Sequence, residues 1–372
     1  MSNLLHNKTL SAGLRQDTQE QSKLCLNKCT IKLGIILCAL VCVLLISIAV
    51  STTFGSSVLK IQTITSIIIN KLIPDSINVI WSKGQESIVW FIRLPRILLA
   101  VLVGAGLALV GTCLQAVTRN PMADPYLFGA SAGASLGAVS VILYAGTFVT
   151  SFNNTFNIPI AAFIGAFSSM LMVLYLAKKG SSLSQHKLIL SGVAIHFMLM
   201  SITNYLIFSG DQKIAGSAIF WMLGGLGAAQ WSQLIYPLLA LCFALPIMLS
   251  WANSLNAIMA GDETAITLGV NVNRMRFMVF LLCAILTGTM VAFSGAIGFV
   301  GLMVPHIVRI FVGADNNKVL PISALVGALL LVWADALART IIAPQDLPVG
   351  IVTSVIGGAF FIYLMARKIT LF

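Results

Sequence analysis

Long apolar runs separated by short polar segments dominate the pattern of this chain. A helix needs about 20 mostly apolar residues to cross the hydrocarbon core of a bilayer. Such runs predict ten transmembrane spans, at residues 33–53, 94–114, 126–146, 158–177, 188–208, 232–251, 277–293, 299–312, 319–338 and 349–366. The eighth run is short and contains Pro305, so we expect it not to cross as a straight helix.

The composition agrees with a chain that lies mostly in lipid. Of its 372 residues, 58% are hydrophobic and only 9% are charged, against about 25% charged residues in a soluble domain. This balance excludes a soluble enzyme, a secreted disulfide scaffold and a disordered tail. The predicted fold class is an all-α polytopic membrane protein. We expect residues 1–32 to form a polar cytoplasmic leader and residues 33–372 to form the transmembrane domain.

The basic residues predict the orientation. With the N-terminus in the cytoplasm, the ten spans place 15 of the 22 Lys and Arg residues inside and seven outside. Cytoplasmic loops carry an excess of Lys and Arg, so both termini are predicted to be cytoplasmic. The net charge of +11 is then a feature of membrane topology and not a sign of nucleic-acid binding. Five of the seven outer cations lie within residues 54–96, which calls for an explanation.

Two polar or glycine-rich segments interrupt the helical pattern. One covers residues 118–125, and the other covers residues 294–301, just before Pro305 and His306. Each follows the first helix of a block of four spans, and the predicted topology runs the two blocks in opposite directions. Paired breaks in inverted repeats are typical of transporters. Two unrelated loops are the alternative.

Small and ionisable residues within the spans raise the question of a pathway. The third span has glycines at four-residue spacing, which favours close helix packing: Gly129, Gly133 and Gly137. Ser131 and Ser135 on the same span, and His196 on the fifth, are candidate pathway residues. Hydrogen-bonded structure is the alternative for His196. The other ionisable residues within spans are His306, Arg309 and Asp335. Their scarcity indicates that the energy for transport enters from elsewhere.

Three arginines stand at the predicted outer surface. Arg93 and Arg96 open the second span, where cations oppose the helix dipole, so an external anion is expected to compensate them. Arg339 ends the ninth span four residues after Asp335, and we expect that pair to interact in part. Anchoring to lipid headgroups is the alternative for these arginines.

The inner loop 252–276 has helical apolar spacing but is too polar to enter the membrane. Asp262 and Glu263 follow Gly261, and Gly269 stands where a helix C-terminal cap would stand. A surface-lying helix is usually basic, whereas this one is acidic at its start. The pattern therefore predicts a short amphipathic helix that docks in a groove of a soluble partner.

Taken in order, several motifs resemble those of one family. From about residue 91 to residue 367, the chain is similar to the permeases of ABC importers for iron chelates and vitamin B12. The motifs are Arg93-Leu94-Pro95-Arg96, Asn120-Pro121-Met122-Ala123-Asp124-Pro125, Gly261-Asp262-Glu263-Thr264-Ala265 through Leu268-Gly269, Ser294-Gly295-Ala296-Ile297-Gly298-Phe299-Val300-Gly301-Leu302, Val304-Pro305-His306, Ala334-Asp335 to Arg339, and Leu347-Pro348-Val349-Gly350.

The resemblance implies an architecture and partners. It implies the type II ABC importer permease, with about ten spans, two inverted four-helix blocks and two permease subunits around a central pathway. The second subunit is expected to be another copy of this chain, with a related chain as the alternative. It also implies two cytoplasmic ATPase subunits and a substrate-binding protein, periplasmic or a lipoprotein, that delivers cargo to the outer face. The permease would lie in the inner, or cytoplasmic, membrane among lipids, with no nucleic-acid partner.

The resemblance also assigns residues. Arg93, Arg96 and Arg339 match positions that pair with glutamates of the binding protein. The loop at Ser184, Gln185 and His186 falls where the family places its cytoplasmic gate. The helix that couples to the ATPase matches these residues: Gly261, Asp262, Glu263, Ala265, Leu268 and Gly269.

The expected function is thus ATP-driven import of an iron chelate, siderophore or haem, with vitamin B12 as the alternative cargo. No catalytic residue, metal or cofactor is expected on this chain, because ATP and magnesium would act on the partner ATPase. An ion-coupled carrier is the rival class, and the inner loop separates the two, because a carrier needs no ATPase-docking helix. An intramembrane enzyme is disfavoured, because no nucleophile–base or metal-ligand cluster is evident.

Overall fold

A computed structural model describes residues 31–55, 57, 59–74, 76–148, 154–178 and 185–366. These residues form helices and connecting segments, with no strand among them. The helices are α1 (Ile31–Ser51), α2 (Ile61–Leu72), α3 (Lys83–Ser87), α4 (Leu94–Thr118), α5 (Ala130–Phe148), α6 (Asn154–Lys178), α7 (Gln185–Ser209), α8 (Gln212–Met222), α9 (Trp231–Ser250), α10 (Ala252–Ala260), α11 (Asp262–Thr267), α12 (Val272–Ser294), α13 (Val300–Val312), α14 (Asn316–Ala338) and α15 (Val349–Ala366), and a π-helical turn (Ile88–Arg93) joins α3 to α4.

The predicted spans correspond to helices. Within the described residues, eight helical stretches are long and apolar enough to cross a membrane. Two shorter apolar stretches, Ala130–Tyr144 of α5 and Val300–Val312 of α13, match the third and eighth predicted spans. The chain is therefore a multi-pass, all-α membrane protein. Helix α13 has only 13 residues, about 20 Å, which is too short to cross the hydrocarbon core, and it continues as a helix through Pro305.

The two long segments between predicted spans, 54–93 and 209–231, contain helices that do not register as separate spans. The first contains α2, α3 and the π-helical turn, and the second contains α8. These segments are too short or too polar to register as spans. Tertiary packing stabilises α2, whose Ile64 and Ile67 are almost completely buried.

The chain divides into two compact units, Met1–Val43 and Leu44–Phe372. The described part of the first unit is the beginning of α1, where Ile31 and Ile35 are about 60% exposed within this chain, as expected for side chains that face lipid. Residues 1–30, which hold most of the predicted leader, lie outside the described residues, so that assignment stays a prediction.

Helix α4 is the buried axis of the second unit, and its 25 residues span about 37 Å. We use its two termini to name the ends of the bundle: the Arg96 end, at its first turn, and the Asp262 end, where Arg119 meets Asp262. Glycines bring neighbouring helices into backbone contact with α4. A Cβ on Gly104 would lie 2.3 Å from the carbonyl oxygen of Gly327 on α14.

The two four-helix blocks run in opposite directions, as predicted. Helix α12, which opens the second block, lies antiparallel to α4. At the Asp262 end, Arg276 near the start of α12 donates from Nε to the carbonyl of Val117 near the end of α4, at 3.2 Å. Toward the other end, Met290 of α12 packs on Gly106 of α4.

The packing role expected for the glycines of the third span is confirmed. A Cβ on Gly133 would lie 2.2 Å from the carbonyl oxygen of Gly165 on α6, and one on Gly137 would lie 2.1 Å from that of Ala161. Gly129 has a positive φ of 81°, and its carbonyl accepts a hydrogen bond from Ser169 at 2.6 Å. Helices α5 and α6 therefore pack through their backbones.

Candidate functional site

The two predicted breaks meet inside the bundle. The first covers residues 119–129, between α4 and α5, and the second covers residues 295–299, between α12 and α13. The backbone N–H of Ile297 donates to the hydroxyl of Tyr126 at 2.8 Å. A Cβ on Gly301, at the start of α13, would lie 3.4 Å from Pro125 and 3.6 Å from the Cα of Gly111. Because Gly111 lies within α4, well away from both of its ends, both breaks enter the interior of the bundle.

Two short helices leave this meeting point in opposite directions. Helix α5 runs to the Arg96 end, where Val141 and Ile142 line a cavity together with Arg96. Helix α13 runs to the Asp262 end, where Arg309 contacts Met259 of α10. Discontinuous helices whose N-termini point into the bundle are the arrangement found around the binding sites of transporters. Irregular backbone is tolerated at membrane depth where it is buried in protein or lines a water-filled cavity.

A cavity of about 590 Å³ opens at the Arg96 end. Its wall combines one ion pair, Arg96 with Asp346, and aromatic side chains that include Trp221 and Phe293. Helix α8 contributes Ile214 and Ser217. The cavity is mostly apolar and lies beside the second break, which contributes Gly295.

The predicted pathway residues lie on neighbouring helices. Ser135 is buried on α5, whereas Ser131 is half-buried on the same helix. His196 is half-buried on α7 with its ring edge-on to Phe197, and its Nδ1 is buried without a hydrogen-bond partner. The backbone of His196 passes close to Gly129, at the start of α5. Their role in a pathway stays a prediction.

Asp124 is a buried ionisable residue that the analysis of the spans did not include. It lies in the first break, and its side chain accepts a hydrogen bond from the backbone N–H of Tyr126 at 2.8 Å. The signal that could have found it is its place between two prolines, Pro121 and Pro125, since an aspartate commonly caps its own turn at such a break.

A buried charge cluster stands at the Arg96 end. Arg96 donates from Nε to Asp335 Oδ1 at 2.7 Å, and Arg339 Nε lies 3.0 Å from Asp335 Oδ2. The expected pairing of Asp335 with Arg339 is confirmed. Asp335 is fully buried, and the two arginines are about 5% exposed. A buried carboxylate between two guanidinium groups satisfies charges that would otherwise be costly to remove from water.

Two arginines at this end, Arg93 and Arg339, hold the connection between α1 and α2. Arg93 donates to the carbonyls of Thr52, at 2.7 Å, and of Ser57. Arg339 donates to the hydroxyl of Ser51 at 2.9 Å and to the carbonyl of Phe54 at 3.2 Å. These acceptors lie within residues 51–57, at the end of α1 and just after it, so two arginines pin this segment to the bundle.

The three arginines predicted to dock a binding protein therefore point inward. Arg93, Arg96 and Arg339 are each at most 5% exposed, which contradicts the alternative of anchoring to lipid headgroups. Arg96 also pairs with a carboxylate that water can reach. Asp346 Oδ2 lies 2.5 Å from Arg96 Nη1, and half of the Asp346 side chain is exposed. Docking of a partner at these arginines stays a prediction.

The inner loop forms two helices and not one. Gly261, with a φ of 128°, separates α10 from α11. Leu255 and Ile258 of α10 are buried in the bundle, whereas Ile266 and Leu268 are 63% and 67% exposed. The apolar residues that suggested a single amphipathic helix thus face two different environments.

Helix α11 ends as the sequence predicted. Gly269 has a positive φ of 83°, and its N–H donates to Ile266 O while the N–H of Val270 donates to Ala265 O, both at 2.9 Å. These two bonds form the Schellman motif of a helix C-terminus. Ala265 is completely buried, so one side of the short helix packs on the bundle.

The two acidic residues of α11 have different positions. Asp262 accepts two hydrogen bonds from Arg276, at 2.9 and 3.1 Å, and lies 3.5 Å from Arg119. Glu263 is exposed. Since Arg276 is almost fully buried and also contacts Val117, Asp262 links α11 to both α12 and α4.

The Asp262 end carries a second polar network, which the sequence analysis missed. Asn256 of α10 donates to Asp315 at 2.8 Å and accepts from the backbone N–H of Asn316. Arg309 donates to Asn316 at 3.0 Å. Partial burial raises the pKa of Asp315, but hydrogen bonds from Asn256 and Asn317 outweigh it and hold that pKa below its ordinary value. The network ties α10 to the loop between α13 and α14.

The predicted gate lies at the start of α7. Ser184 falls outside the described residues. Gln185 is the first residue of α7 and is half-buried, and His186 next to it is exposed. The positions of Gln185 and His186 do not test whether they act as a gate, so the gate stays a prediction.

The fold and its two meeting breaks define a membrane-spanning permease. Residues 43–367 match the FecCD transport family, and the chain belongs to that family. The hemin transport system permease protein HmuU of Yersinia pestis is 40% identical over 79% of this chain and 88% of its own length. The Fe(3+)-citrate import system permease protein YfmD of Bacillus subtilis is 42% identical over 78% of this chain and 84% of its own length.

The similarity extends to a further cargo and to a solved structure. The vitamin B12 import system permease protein BtuC of Vibrio cholerae is 36% identical over 77% of this chain and 85% of its own length. A solved metal-chelate type ABC transporter in an inward-facing conformation superposes with a TM-score of 0.76, at 29% identity, over 90% of this chain and 99% of that one. The resemblance drawn from the motifs is confirmed.

Proposed function

We propose that this chain is the permease subunit of an ABC importer that carries an iron chelate, a siderophore or haem, across the cytoplasmic membrane. Vitamin B12 is the alternative cargo, because relatives named for the two classes are 40% and 36% identical to this chain over the aligned residues. ATP and magnesium act on two partner ATPase subunits. The excess of Lys and Arg on one side supports two cytoplasmic termini.

The observation that carries the proposal is helix α11. Its exposed Ile266 and Leu268 form an apolar tip on a helix whose other side is fixed to the bundle through Ala265 and Asp262. An ion-coupled carrier has no need of such a tip in water, whereas a helix docked in the groove of an ATPase does. A displacement of α11 would pass through Asp262 and Arg276 into α12 and α4.

The proposed transport path starts at the Arg96 end. A substrate-binding protein docks there with acidic groups and delivers the cargo. Because Asp346 occupies Arg96 in the free permease, a partner carboxylate would replace it at the same guanidinium group. The cargo then passes between this chain and a second permease copy, beside Ser131, Ser135 and His196. It leaves through the gate at Ser184, Gln185 and His186.

The decisive experiment removes the apolar tip. The double variant Ile266→Asp with Leu268→Asp should lose co-purification of the ATPase and lose uptake, while its amount in the membrane stays unchanged. The matched control, Ile266→Val with Leu268→Met, keeps an apolar tip and should retain both ATPase co-purification and uptake. If the aspartate variant co-purified as much ATPase as the unaltered protein, the docking role of α11 would be refuted. Uptake driven by an ion gradient in vesicles that hold the chain alone would establish the carrier instead.

A second measurement separates the cargo classes. Membrane vesicles that hold the whole transporter are given radiolabelled ferric siderophore, haem or cobalamin in turn, with ATP inside. Accumulation of an iron chelate supports the proposal, and accumulation of cobalamin alone selects the alternative. The mostly apolar cavity at the Arg96 end is compatible with a large cargo held by weak contacts.

A further inference from the structure

A patch of exposed aliphatic side chains lies in the segment between α2 and α3. Leu72 ends α2 and is 69% exposed, and Ile73, Val79 and Ile80 are 62%, 64% and 90% exposed. We call these four residues the apolar patch. Single apolar residues on a surface are ordinary, but a group of large ones marks a site of interaction with a protein or a membrane.

The apolar patch is attached to residues typical of a membrane boundary. Ile77, inside the same segment, and Trp90, on the π-helical turn, both pack against one core cluster. Trp90 pairs with Trp231, the first residue of α9: their ring centroids lie 5.0 Å apart, and Trp231 Nε1 donates to the Trp90 carbonyl at 2.7 Å. The shared cluster contains Leu59, Ile64, Ile67, Trp81, Val89 and Leu94.

Tryptophans concentrate at the level where the hydrocarbon meets the headgroups, because their rings are apolar and their N–H groups need a polar partner. Trp231 begins a membrane span, and Trp90 shortly precedes another. The pair thus marks the boundary at the Arg96 end. Through the common cluster, the apolar patch stands near that level and not far out in water.

Charge complementarity favours lipid as the occupant. Two exposed lysines stand at the ends of the stretch made of α2 and this segment: Lys60 just before α2 and Lys83 at the start of α3. Lysines beside an apolar surface place their stems along the acyl chains and their ammonium groups among lipid phosphates. Glu86 pairs with Lys71 at 2.7 Å, and Asp75 lies within the segment, so residues 60–87 carry three lysines against two acids, a net charge of +1.

From these observations we propose that the apolar patch inserts into the interfacial layer of the bilayer at the Arg96 end, with Lys60 and Lys83 in the headgroup region. Helix α2 then lies along the membrane surface, with Ile64 and Ile67 toward the protein core. The anchor holds the segment that Arg93 pins to the bundle at a fixed depth. The inference requires only a membrane protein and is independent of the cargo and of the ATPase.

A fluorescent label tests the depth of the patch. The full chain carries the label on Ile80→Cys or, as the control, on Lys60→Cys, in vesicles of phosphatidylethanolamine and phosphatidylglycerol. Cys113 and Cys283 are buried and are retained. The remaining cysteines are replaced by alanine, at Cys25, Cys29, Cys38, Cys42 and Cys242.

We expect the label at Ile80 to emit at shorter wavelength than the label at Lys60. Lipids brominated near the headgroup end of the acyl chain should quench it at least about twofold more than lipids brominated near the methyl end, because interfacial segments sit only about 5–10 Å deep. Iodide in the water should quench it less than it quenches the control.

Two outcomes would overturn the proposal. Emission from the label at Ile80 at the wavelength of the free label in water, with iodide quenching at least as strong as at Lys60, would show that the patch lies in water. Short-wavelength emission without quenching by either brominated lipid would show that protein, such as a second copy of the chain, covers it. A variant that elutes as a single folded species in detergent but gives either result counts fully against membrane insertion.

Discussion

Tyr126 and Ile297 join the two interruptions of the bundle, although 171 positions separate them in the chain. The hydroxyl of Tyr126 accepts the backbone N–H of Ile297, a group left without a helical partner by the second break. One hydrogen bond therefore links the start of the first block's short helix to that of the second. Any movement of one break relative to the other must stretch or replace it.

Removal of the Tyr126 hydroxyl should weaken this junction. In Tyr126→Phe the ring remains, but the part-buried N–H of Ile297 loses its acceptor, which costs about 1–3 kcal/mol. We expect a lower midpoint of thermal unfolding in detergent, and faster hydrogen exchange confined to residues around both breaks. Tyr175→Phe, at a tyrosine on α6 that is 75% exposed, is the control and should change neither. An unchanged exchange rate at Ile297 would contradict the role of this bond.

Backbone contact between α4 and α13 should be intolerant of a single methyl group. A Cβ on Gly111 would lie only 1.7 Å from the carbonyl oxygen of Gly301, so Gly111→Ala must separate the helices. Overpacking of this kind costs at least about 1–3 kcal/mol. Gly358→Ala is the control, since nothing lies within 4 Å of a Cβ there. The measurement is the unfolding midpoint of each variant, and equal midpoints would show that the two helices are not closely packed.

The spans and the breaks could be predicted because both depend on local sequence. A run of apolar residues must be a helix in lipid wherever it lies. The segments at 118–125 and 294–301 could be recognised because proline and glycine disrupt helices without help from the rest of the fold. The packing of Gly133 against Gly165 followed likewise from four-residue spacing, although the partner helix could not be named.

The direction of the arginine side chains could not be predicted, because their partners are distant in sequence. Arg96 meets Asp335 and Asp346, which lie 239 and 250 positions away. The distribution of Lys and Arg between the loops predicts on which side of the membrane an arginine lies. It does not show whether that arginine faces water or a buried carboxylate. The separate helix α10 was missed for a similar reason: the sequence placed the acidic start of the docking helix at Asp262, but only tertiary contact shows that Leu255 and Ile258 are buried apart from the exposed tip of α11.

Replacement of the two aspartates at the Arg96 end by asparagine should lower the stability of the protein to very different extents. Asp335→Asn leaves Arg96 and Arg339 without their shared buried carboxylate, and breaking a buried pair costs about 3–5 kcal/mol. Asp346→Asn removes only a half-exposed partner and should leave the unfolding midpoint nearly unchanged. Measurement of both midpoints in detergent checks the difference. Equal losses would show that Asp346 is as structural as Asp335.

Under the proposed docking mode, Asp346→Asn has a further consequence. The variant frees one edge of Arg96, so a partner carboxylate no longer competes with an internal one. The substrate-binding protein should then bind the permease more tightly, and the gain should shrink as salt rises, since exposed charges are screened. Asp211→Asn, a change of the same charge at an exposed helix cap, is the control. Weaker binding by Asp346→Asn would mean that Asp346 positions Arg96 and does not block it.

Variants of helix α11 should distinguish two steps: attachment of the ATPase and transmission of its movement to the bundle. Asp262 faces the bundle and holds Arg276, whereas Glu263 next to it faces outward, so equal changes at adjacent positions test different steps. In Asp262→Asn the apolar tip of α11 is intact, so the ATPase should still co-purify. The link to α12 and α4 is weakened, so uptake should fall while ATP hydrolysis continues. Glu263→Gln should keep that coupling. Loss of ATPase co-purification in Asp262→Asn would show that the carboxylate takes part in attaching the ATPase. Full uptake in that variant would show that the movement reaches the bundle through another contact, such as the buried Ala265.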